Sequence, residues 1–530
     1  MRQIDKRVWL FVILSAGLQI LIFPLPNFYG LCWVAITPLL VALLRARRPE
    51  TLQLRTGRNL LPAKPLPAFL LAYVCGILWY GGTCYWIYPT MRQYGGLNAA
   101  AALGALILFC LYLGIYHGVF GLLISLLAGA DPVSRRALVV SPFAWVAVEL
   151  ARCRITAFPW NLLGTCQVDN IPLARIATVT GVYGLSFEIM LVNSAFAAAF
   201  LVRREKRTPL LLAALTAVLA LQAGRLVPAP QARADQVATL VQANVPVLQG
   251  AQWTKEYFET TLEELSAFSS NREASDNPAF RLIVWPESPA PFYISDPIFR
   301  GAVSNLARRE GSWVLVGTIG IDHGTDNRGR SSAIYNSAQL VSPTGEWAAR
   351  YDKVHLVPFG EYVPFESLFS FAGGLTKEVG DFSPGTSRTP LAANGIKLGV
   401  FVCYESIFPG EIRQFAAEGA QVLVNISNDG WYGDSGAYAQ HLKQARARAI
   451  ENGRWLLRAT NTGVTASIDP YGTVVASLPR KVRSALSAPY ALSSRTTFYT
   501  RHGDWFTYLC AIICGTALAM PWALRKRGES

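Results

Sequence analysis

The stretch that decides the fold of the polar half of this chain is GVFVCYE, residues 399–405. It is a continuously apolar run that ends at Cys403 and is followed by an aromatic residue and a carboxylate. Such runs are typical of strands in sheets that are covered on both faces, and α/β domains place their catalytic groups where strands end. The run therefore predicts a buried strand with Cys403 at its functional end.

Cys403 is set apart from the other eight cysteines of this 530-residue chain, which lie in apolar stretches or at their ends. These eight are Cys32, Cys75, Cys84, Cys110, Cys153, Cys166, Cys510 and Cys514. A single cysteine in an exported block has no partner for a disulfide within its domain. Cys403 is therefore either an inert core thiol, which is the commoner case, or a reactive nucleophile.

Strand-like and helical runs alternate on both sides of this stretch. Strands are predicted at residues 237–247, 281–285, 313–321, 333–341, 397–403, 422–426 and 464–468. Helices are predicted at 254–268 and 438–456, and a hairpin turn at 469–472. This alternation indicates one layered α/β domain, which we expect to span residues 227–500.

The rest of the chain has the composition of a membrane protein, with 52% apolar and 15% charged residues overall. Apolar runs long enough to cross a bilayer begin near Val8, Tyr29, Leu66, Ala99, Leu138, Ile171, Pro209 and Asp504. The formal charge of +14 comes from basic residues beside these runs. This pattern is typical of loops that face anionic lipid, and it argues against a nucleic-acid partner.

The positive-inside rule gives these eight spans a consistent topology, with basic loops inside and the polar block outside. We therefore predict a seven-helix transmembrane domain over residues 1–226 and an external catalytic domain over 227–500. A final helix with a basic cytoplasmic tail follows over 501–530. The first apolar run lacks a small-residue cleavage site, so it predicts a retained helix rather than a signal peptide.

Two further polar residues near strand ends are candidates to act with Cys403. Glu287 follows a Trp-Pro pair after the strand at 281–285, and Lys353 lies among apolar residues. A carboxylate can take the thiol proton, and an ammonium group with a backbone N–H can stabilise the thiolate and then an oxyanion. Glu361 is a candidate to hold Lys353 in place. Each residue alone has a commoner structural explanation, so the hypothesis depends on their meeting at one site.

A Cys–His pair is the competing arrangement, because the block and its edges also contain four histidines. These are His323, His355, His441 and His502. In an extended segment His355 would point to the same side as Lys353, two residues before it. The histidine and cysteine spacings match no metal-binding motif, so we predict neither a metal nor another cofactor.

Several motifs around these residues resemble the nitrilase superfamily. The resemblance is carried by WPE at 285–287, HLVPFGEYVP at 355–364 and CYE at 403–405. The segments NDGWYGDS at 428–435, Gln440-His441 and RATNTG at 458–463 extend it. With the membrane spans included, the whole chain resembles the membrane branch of that superfamily, the apolipoprotein N-acyltransferases.

The resemblance implies an αββα sandwich on the periplasmic side of a bacterial inner membrane, between the last two of eight helices. It assigns Glu287 as the general base, Lys353 as the cation and Cys403 as the nucleophile. It also implies four supporting residues: Glu361, Tyr404, Glu405 and Trp253.

The activity that the resemblance implies is a ping-pong acyl transfer. Cys403 takes an acyl chain from a membrane phospholipid as a thioester and passes it to the N-terminal amine of a diacylglyceryl apolipoprotein. The expected partners are the phospholipid donor, the apolipoprotein acceptor and the bilayer, and the expected state is a monomer. Two alternatives remain: a membrane-anchored amidase, and a non-enzymatic transporter with an external domain. Seven spans exceed what an anchor needs, which argues against the amidase. Transporters usually carry charged residues within their spans, and few are seen here.

An apolar excursion at residues 365–382 follows the Lys353 segment. Near its start it has three phenylalanines and a glycine pair that can act as a hinge: Phe365, Phe369, Phe371, Gly373 and Gly374. Soluble domains rarely leave such a segment exposed. It is either a mobile arm that faces lipid or an ordinary buried loop.

Overall fold

The computed structural model describes residues 4–47, 60–129, 134–202, 204–223, 226, 232–247, 253–270, 280–323, 332–362 and 382–528. The chain divides into two units. A helical unit comprises Met1–Tyr88, Ala100–Pro228 and Asp504–Ser530, and a mixed α/β unit comprises Pro89–Ala99 and Ala229–Gly503.

The described part of the chain before residue 224 is helical, with long apolar helices, as expected for a membrane protein, and several short ones. They are α1 (Arg7–Leu21), α2 (Cys32–Ala35), α3 (Thr37–Leu44), α4 (Pro65–Thr83), α5 (Ile87–Gln93), α6 (Ala99–Ala128), α7 (Arg135–Ile155), α8 (Ile171–Ala174), α9 (Ala177–Thr180), α10 (Val182–Leu201) and α11 (Arg204–Ala223). Short 3₁₀ turns occur at Tyr29–Leu31 and Leu163–Gln167.

Three described helices, α4, α6 and α10, are long and apolar enough to cross a bilayer. Shorter apolar helices occupy Arg7–Leu21, Tyr29–Leu44, Ile171–Thr180, Arg207–Ala223 and Trp505–Met520. A small residue allows two of the long helices to approach closely, since a Cβ atom on Gly121 of α6 would lie 2.4 Å from the Ala68 carbonyl oxygen of α4. A helical membrane unit is thus confirmed, while the count of eight spans stays a prediction.

The α/β unit contains two six-stranded sheets. The strands are β1 (Gln236–Gln242), β2 (Leu282–Val284), β3 (Trp313–His323), β4 (Ser332–Val341), β5 (Trp347–Asp352), β6 (Leu391–Ala393), β7 (Ile396–Val402), β8 (Val422–Ser427), β9 (Leu456–Thr460), β10 (Ala466–Ile468), β11 (Val474–Ser477) and β12 (Ser484–Tyr490). The first sheet has the order β12-β1-β2-β3-β4-β5, and the second has β11-β10-β9-β8-β7-β6. The central pairs β1–β2–β3 and β7–β8–β9 are parallel.

Helices cover the outer faces of these sheets. They are α12 (Lys255–Ser269), α13 (Pro297–Glu310), α14 (Pro409–Ala417) and α15 (Ala437–Asn452), and the chain continues into α16 (Phe498–His502) and α17 (Trp505–Gly528). Leu262 of α12 and Phe299 of α13 share a core with Val314 of the first sheet. Between the sheets, Leu240 and Val400 belong to a second, larger core. The unit therefore has four layers, helix–sheet–sheet–helix, and its central strands β2, β8 and β9 are buried along their whole length.

One predicted helix was too long. The run at 438–456 was expected to be helical throughout, but α15 ends at Asn452 and β9 begins at Leu456. Gly453 adopts φ +59°, a left-handed conformation that glycine reaches without strain, and its N–H caps the last turn. The predicted hairpin at 469–472 is confirmed, since β10 and β11 pair antiparallel on either side of it.

Candidate functional site

Cys403 lies directly after β7 and begins a 3₁₀ turn, Cys403–Ile407. Its φ of +49° is in the left-handed region, which costs a residue with a Cβ atom on the order of 1–3 kcal/mol. The residue is buried, with 5% of its surface exposed. A sharp, strained turn at the end of a buried strand is the geometry that presents a nucleophile at a sheet edge.

Glu287 lies just beyond β2 and is held by two hydrogen bonds. Its Oε2 atom accepts from the Asn428 backbone N–H at 2.7 Å, and its Oε1 atom accepts from the Asn336 side-chain amide at 2.7 Å. Oε1 is also 3.6 Å from the Lys353 Nζ atom. The carboxylate is buried and its orientation is fixed, as a positioned proton acceptor requires.

Lys353 follows β5 and is almost fully buried, with 1% exposed. Its Nζ atom donates to Glu361 Oε1 at 2.9 Å. Burial alone would lower the pKa of Lys353, but the carboxylates of Glu361 and Glu287 outweigh it and raise the pKa above its ordinary value. Lys353 is therefore a fixed ammonium group between two carboxylates, and it does not snorkel to solvent.

Asn336 joins the two carboxylates and was not singled out from the sequence. Its Nδ2 atom, on β4, donates to Glu287 Oε1 and to Glu361 Oε1, both at 2.7 Å. Glu361 Oε2 accepts from the Val357 N–H at 2.7 Å. The only sequence signal would have been an amide within the strand run SAIYNSAQLV, which is a weak indication.

Glu405 connects the Lys353 segment to the Cys403 turn. Its Oε1 atom accepts from the Tyr351 hydroxyl and from the N–H groups of Val354 and His355, at 2.8, 2.8 and 3.1 Å. Its Oε2 atom accepts from the Val402 N–H at 2.8 Å. One buried carboxylate thus fixes the backbone on both sides of the site.

The electrostatic environment keeps the Cys403 thiol protonated at rest. Burial raises the pKa of Cys403, the Glu287 carboxylate raises it further, and the Lys353 ammonium opposes this only in part. A free thiolate is therefore disfavoured, so attack by the sulfur requires that its proton be transferred as the reaction proceeds.

The two histidines near the site, half-buried His355 and buried His441, have different surroundings. The His355 ring lies against Phe408 with 3.8 Å between centroids, and burial, with Arg388 and Lys353, lowers the pKa of His355 to about 4. His441 contacts Cys403 at the carbonyl oxygen, with its Nε2 atom 3.0 Å away. These contacts do not form the side-chain Cys–His pair that the competing hypothesis required.

Of the remaining predicted residues, the structure describes Tyr404 and Trp253 but not those of the predicted arm. Tyr404 is buried with its ring 5.3 Å from Phe408, and Trp253 packs on Tyr257 with 5.0 Å between centroids, against the core below the first sheet. The predicted arm residues Phe365, Phe369, Phe371, Gly373 and Gly374 are outside the described residues. Within the described ranges, no cluster of three or more His, Cys, Asp or Glu side chains could hold a metal ion.

The fold and this buried Glu–Lys–Cys arrangement define the class of the α/β unit. Residues 237–497 match the family model of carbon–nitrogen hydrolases. An amidase from Nesterenkonia sp. has a solved structure that aligns over 53% of this chain and 98% of its own, at 20% identity and a TM-score of 0.35.

The helical unit identifies a narrower family within this class. Residues 15–195 match the model of the apolipoprotein N-acyltransferase N-terminal domain. An apolipoprotein N-acyltransferase from Geobacter metallireducens is 35% identical over 99% of this chain and 96% of its own. One from Methylococcus capsulatus is 35% identical over 89% of this chain and 90% of its own.

The chain therefore belongs to the apolipoprotein N-acyltransferase family. This confirms the predicted family and the predicted N-acylation of lipoproteins. Neither the amidase nor the transporter alternative is favoured.

Proposed function

We propose that this protein transfers an acyl chain from a membrane phospholipid to the N-terminal amine of diacylglyceryl apolipoproteins through a thioester on Cys403. The observation that carries the mechanism is the buried ammonium of Lys353, which lies between Glu287 and Glu361 and within electrostatic range of the thiol. We place the reaction at the periplasmic face of a bacterial inner membrane, in a monomer, as the family resemblance implies.

In the first half-reaction Cys403 Sγ attacks the carbonyl carbon of a phospholipid ester. Glu287 takes the thiol proton as the sulfur–carbon bond forms, because the raised pKa of the thiol disfavours a free thiolate. The Lys353 ammonium and a backbone N–H beside Cys403 stabilise the oxyanion. The ester C–O bond then breaks, the glycerol oxygen takes the proton from Glu287, and lysophospholipid leaves.

In the second half-reaction the free amine of the apolipoprotein attacks the thioester carbon. Glu287 accepts a proton from the amine, and Lys353 again stabilises the oxyanion. The C–S bond breaks, the Cys403 sulfur regains the proton, and the amide product leaves. The same residues serve both steps, as expected of a ping-pong enzyme that uses one covalent intermediate.

The order of the two half-reactions can be tested by measuring whether lysophospholipid is released before any acceptor is present. The purified protein in detergent would be mixed with phospholipid carrying a labelled acyl chain, first alone and then with a diacylglyceryl lipopeptide. We expect about one equivalent of lysophospholipid per protein without acceptor, and continuous turnover to N-acylated lipopeptide with it.

The matched control is the same lipopeptide with an acetylated amino terminus, which should not restart turnover. Free fatty acid as the main product would contradict acyl transfer and identify a hydrolase. Lysophospholipid release that requires the acceptor would contradict the ping-pong order.

A further inference from the structure

A buried polar cluster that the proposed acyl transfer does not use lies next to the nucleophile. It comprises His441 of α15, Asp429 of the 3₁₀ turn Asp429–Tyr432 and Arg458 of β9. Each of the three is at most 1% exposed. Three ionisable side chains at such depth are costly unless they are paired, so their arrangement calls for a physical reason.

The imidazole of His441 is held at both of its nitrogens. Nε2 lies 3.0 Å from the carbonyl oxygen of Cys403, and Nδ1 lies 2.9 Å from Asp429 Oδ1. Because a carbonyl oxygen only accepts hydrogen bonds, Nε2 must carry the hydrogen and donate it. The ring therefore stands between the nucleophile's backbone and the buried Asp429–Arg458 pair.

Arg458 and Ser427 fix the position of the Asp429 carboxylate, and Arg458 also contacts the imidazole. Arg458 Nη2 lies 2.9 Å from Asp429 Oδ2 and 3.1 Å from His441 Nδ1, and the Ser427 hydroxyl donates to Asp429 at 2.9 Å. Burial would raise the pKa of Asp429, but Arg458 and His441 outweigh it and hold the pKa well below its usual range. Burial and Arg458 lower the pKa of His441, which favours the neutral ring, so the unprotonated Nδ1 accepts from Arg458 Nη2. Rotation of the imidazole would break contacts to charged groups on two elements.

The carbonyl that His441 holds belongs to a strained residue, the nucleophile itself. Cys403 is in the left-handed region, and its C=O shares one planar peptide group with the N–H of Tyr404. In a trans peptide these two groups point in opposite directions. A donor that fixes the Cys403 carbonyl therefore also fixes the direction of the adjacent N–H, which is the candidate donor to the oxyanion.

We propose that His441 is a positioning residue, which holds the Cys403 peptide so that the thiol meets Glu287 and the Tyr404 N–H meets the oxyanion. Arg458, which is paired with Asp429, holds the ring in turn. The inference deepens the proposed acyl transfer and rests on it for the role of the N–H. The placement of the thiol is independent of any lipid substrate.

Two substitutions separate positioning from simple packing. In His441→Gln the amide nitrogen lies at about the distance of Nε2 and can still donate to the Cys403 carbonyl. In His441→Asn the shorter side chain can reach Asp429 but not that carbonyl. His502→Asn is the matched control, since His502 is exposed at the end of α16.

The first readout is alkylation of Cys403 by iodoacetamide over a range of pH, measured by mass spectrometry of the Cys403 peptide. The charged and polar groups that interact with this thiol are Glu287, Lys353, Asp429, Ser427 and Tyr432. We expect Cys403 of the Asn variant to reach a given alkylation rate only at a higher pH than in wild type, because the displaced thiol can no longer transfer its proton to Glu287. The Gln variant and the His502 control should keep the wild-type profile, with thermal unfolding temperatures similar in all.

The second readout is the single-turnover rate of thioester formation from phospholipid. We expect a loss of about 10–100-fold in His441→Asn and a smaller loss in His441→Gln, as for an ångström-scale misplacement of a reacting group. Equal behaviour of the Asn and Gln variants, or a wild-type alkylation profile in the Asn variant, would overturn the proposal. If wild type forms no thioester, only the proposed acyl transfer fails, since the alkylation comparison uses no lipid.

Discussion

Each unit of this protein buries charged side chains, but the two groups are partnered differently. In the α/β unit Lys353 lies between two carboxylates, 2.9 Å from Glu361 and 3.6 Å from Glu287. In the helical unit Arg152 donates to the Tyr80 hydroxyl at 2.7 Å and lies 5.7 Å from the centre of the Trp79 ring. A hydroxyl and aromatic rings contact the second cation directly, and the Glu149 carboxylate also attracts it electrostatically.

A buried carboxylate of the helical unit, that of Glu149, also has neutral hydrogen-bond donors. Glu149 Oε1 accepts from the Trp145 indole N–H at 3.1 Å and from the Leu163 N–H at 2.8 Å. By contrast, the α/β cluster holds two carboxylates for one ammonium, so it can take up a further proton from Cys403. We therefore expect changes in the α/β cluster to stop chemistry, and changes in the helical cluster to cost stability.

The largest expected effect is the loss of the nucleophile. Cys403→Ala should leave a folded, membrane-inserted protein with turnover lowered by roughly 10⁴–10⁶-fold. Cys403→Ser should be nearly as poor, because a hydroxyl is far harder to ionise than a thiol. The measurement is N-acylation of a diacylglyceryl lipopeptide. Substantial turnover by the alanine variant would refute the site assignment.

The next effect should come from the carboxylate and ammonium that flank the thiol. Glu287→Gln removes the proton acceptor and should slow thioester formation by about 10²–10⁴-fold. Lys353→Arg should also fail, since a planar guanidinium does not fit a site built for a compact ammonium. Single-turnover lysophospholipid release measures both. Normal acylation in either variant would mean that the base or the cation is misassigned.

A smaller effect is expected at the second carboxylate. Glu361→Gln keeps the shape of the side chain but removes one of the two negative charges that flank the Lys353 ammonium. The ammonium should therefore be held less firmly in position. We expect about a tenfold loss in the rate of thioester formation, well short of that of Glu287→Gln. A loss as large as that of Glu287→Gln would indicate that Glu361 itself moves the proton.

The smallest effect should appear in the helical cluster. Tyr80→Phe removes the hydroxyl that accepts from Arg152 and should destabilise the unit by about 1–3 kcal/mol, because a buried charged donor loses its partner. Thermal unfolding in detergent should report this, while alkylation of Cys403 stays at the wild-type rate. Slower alkylation at unchanged thermal stability would contradict the contrast between the two clusters.

How much the sequence could predict differs between these residues. Cys403 and Glu287 follow apolar strands, so local pattern alone placed them at strand ends. The role of Asn336 depends on pairing of β4 with β3 and β5 and on a turn from the second sheet that holds Glu287. His441 likewise reaches the Cys403 carbonyl from a separate helix. Packing between residues far apart in the chain creates these contacts, so the local periodicity of the sequence does not predict them.

The most direct test of the central claim is the mass of the Cys403 peptide after incubation with phospholipid alone. The protein would be quenched in acid, digested and analysed with and without hydroxylamine, which cleaves thioesters. We predict an acyl adduct on Cys403 that hydroxylamine removes and that Glu287→Gln does not form. Full N-acylation activity with no adduct on Cys403, or with the adduct on another residue, would contradict this account.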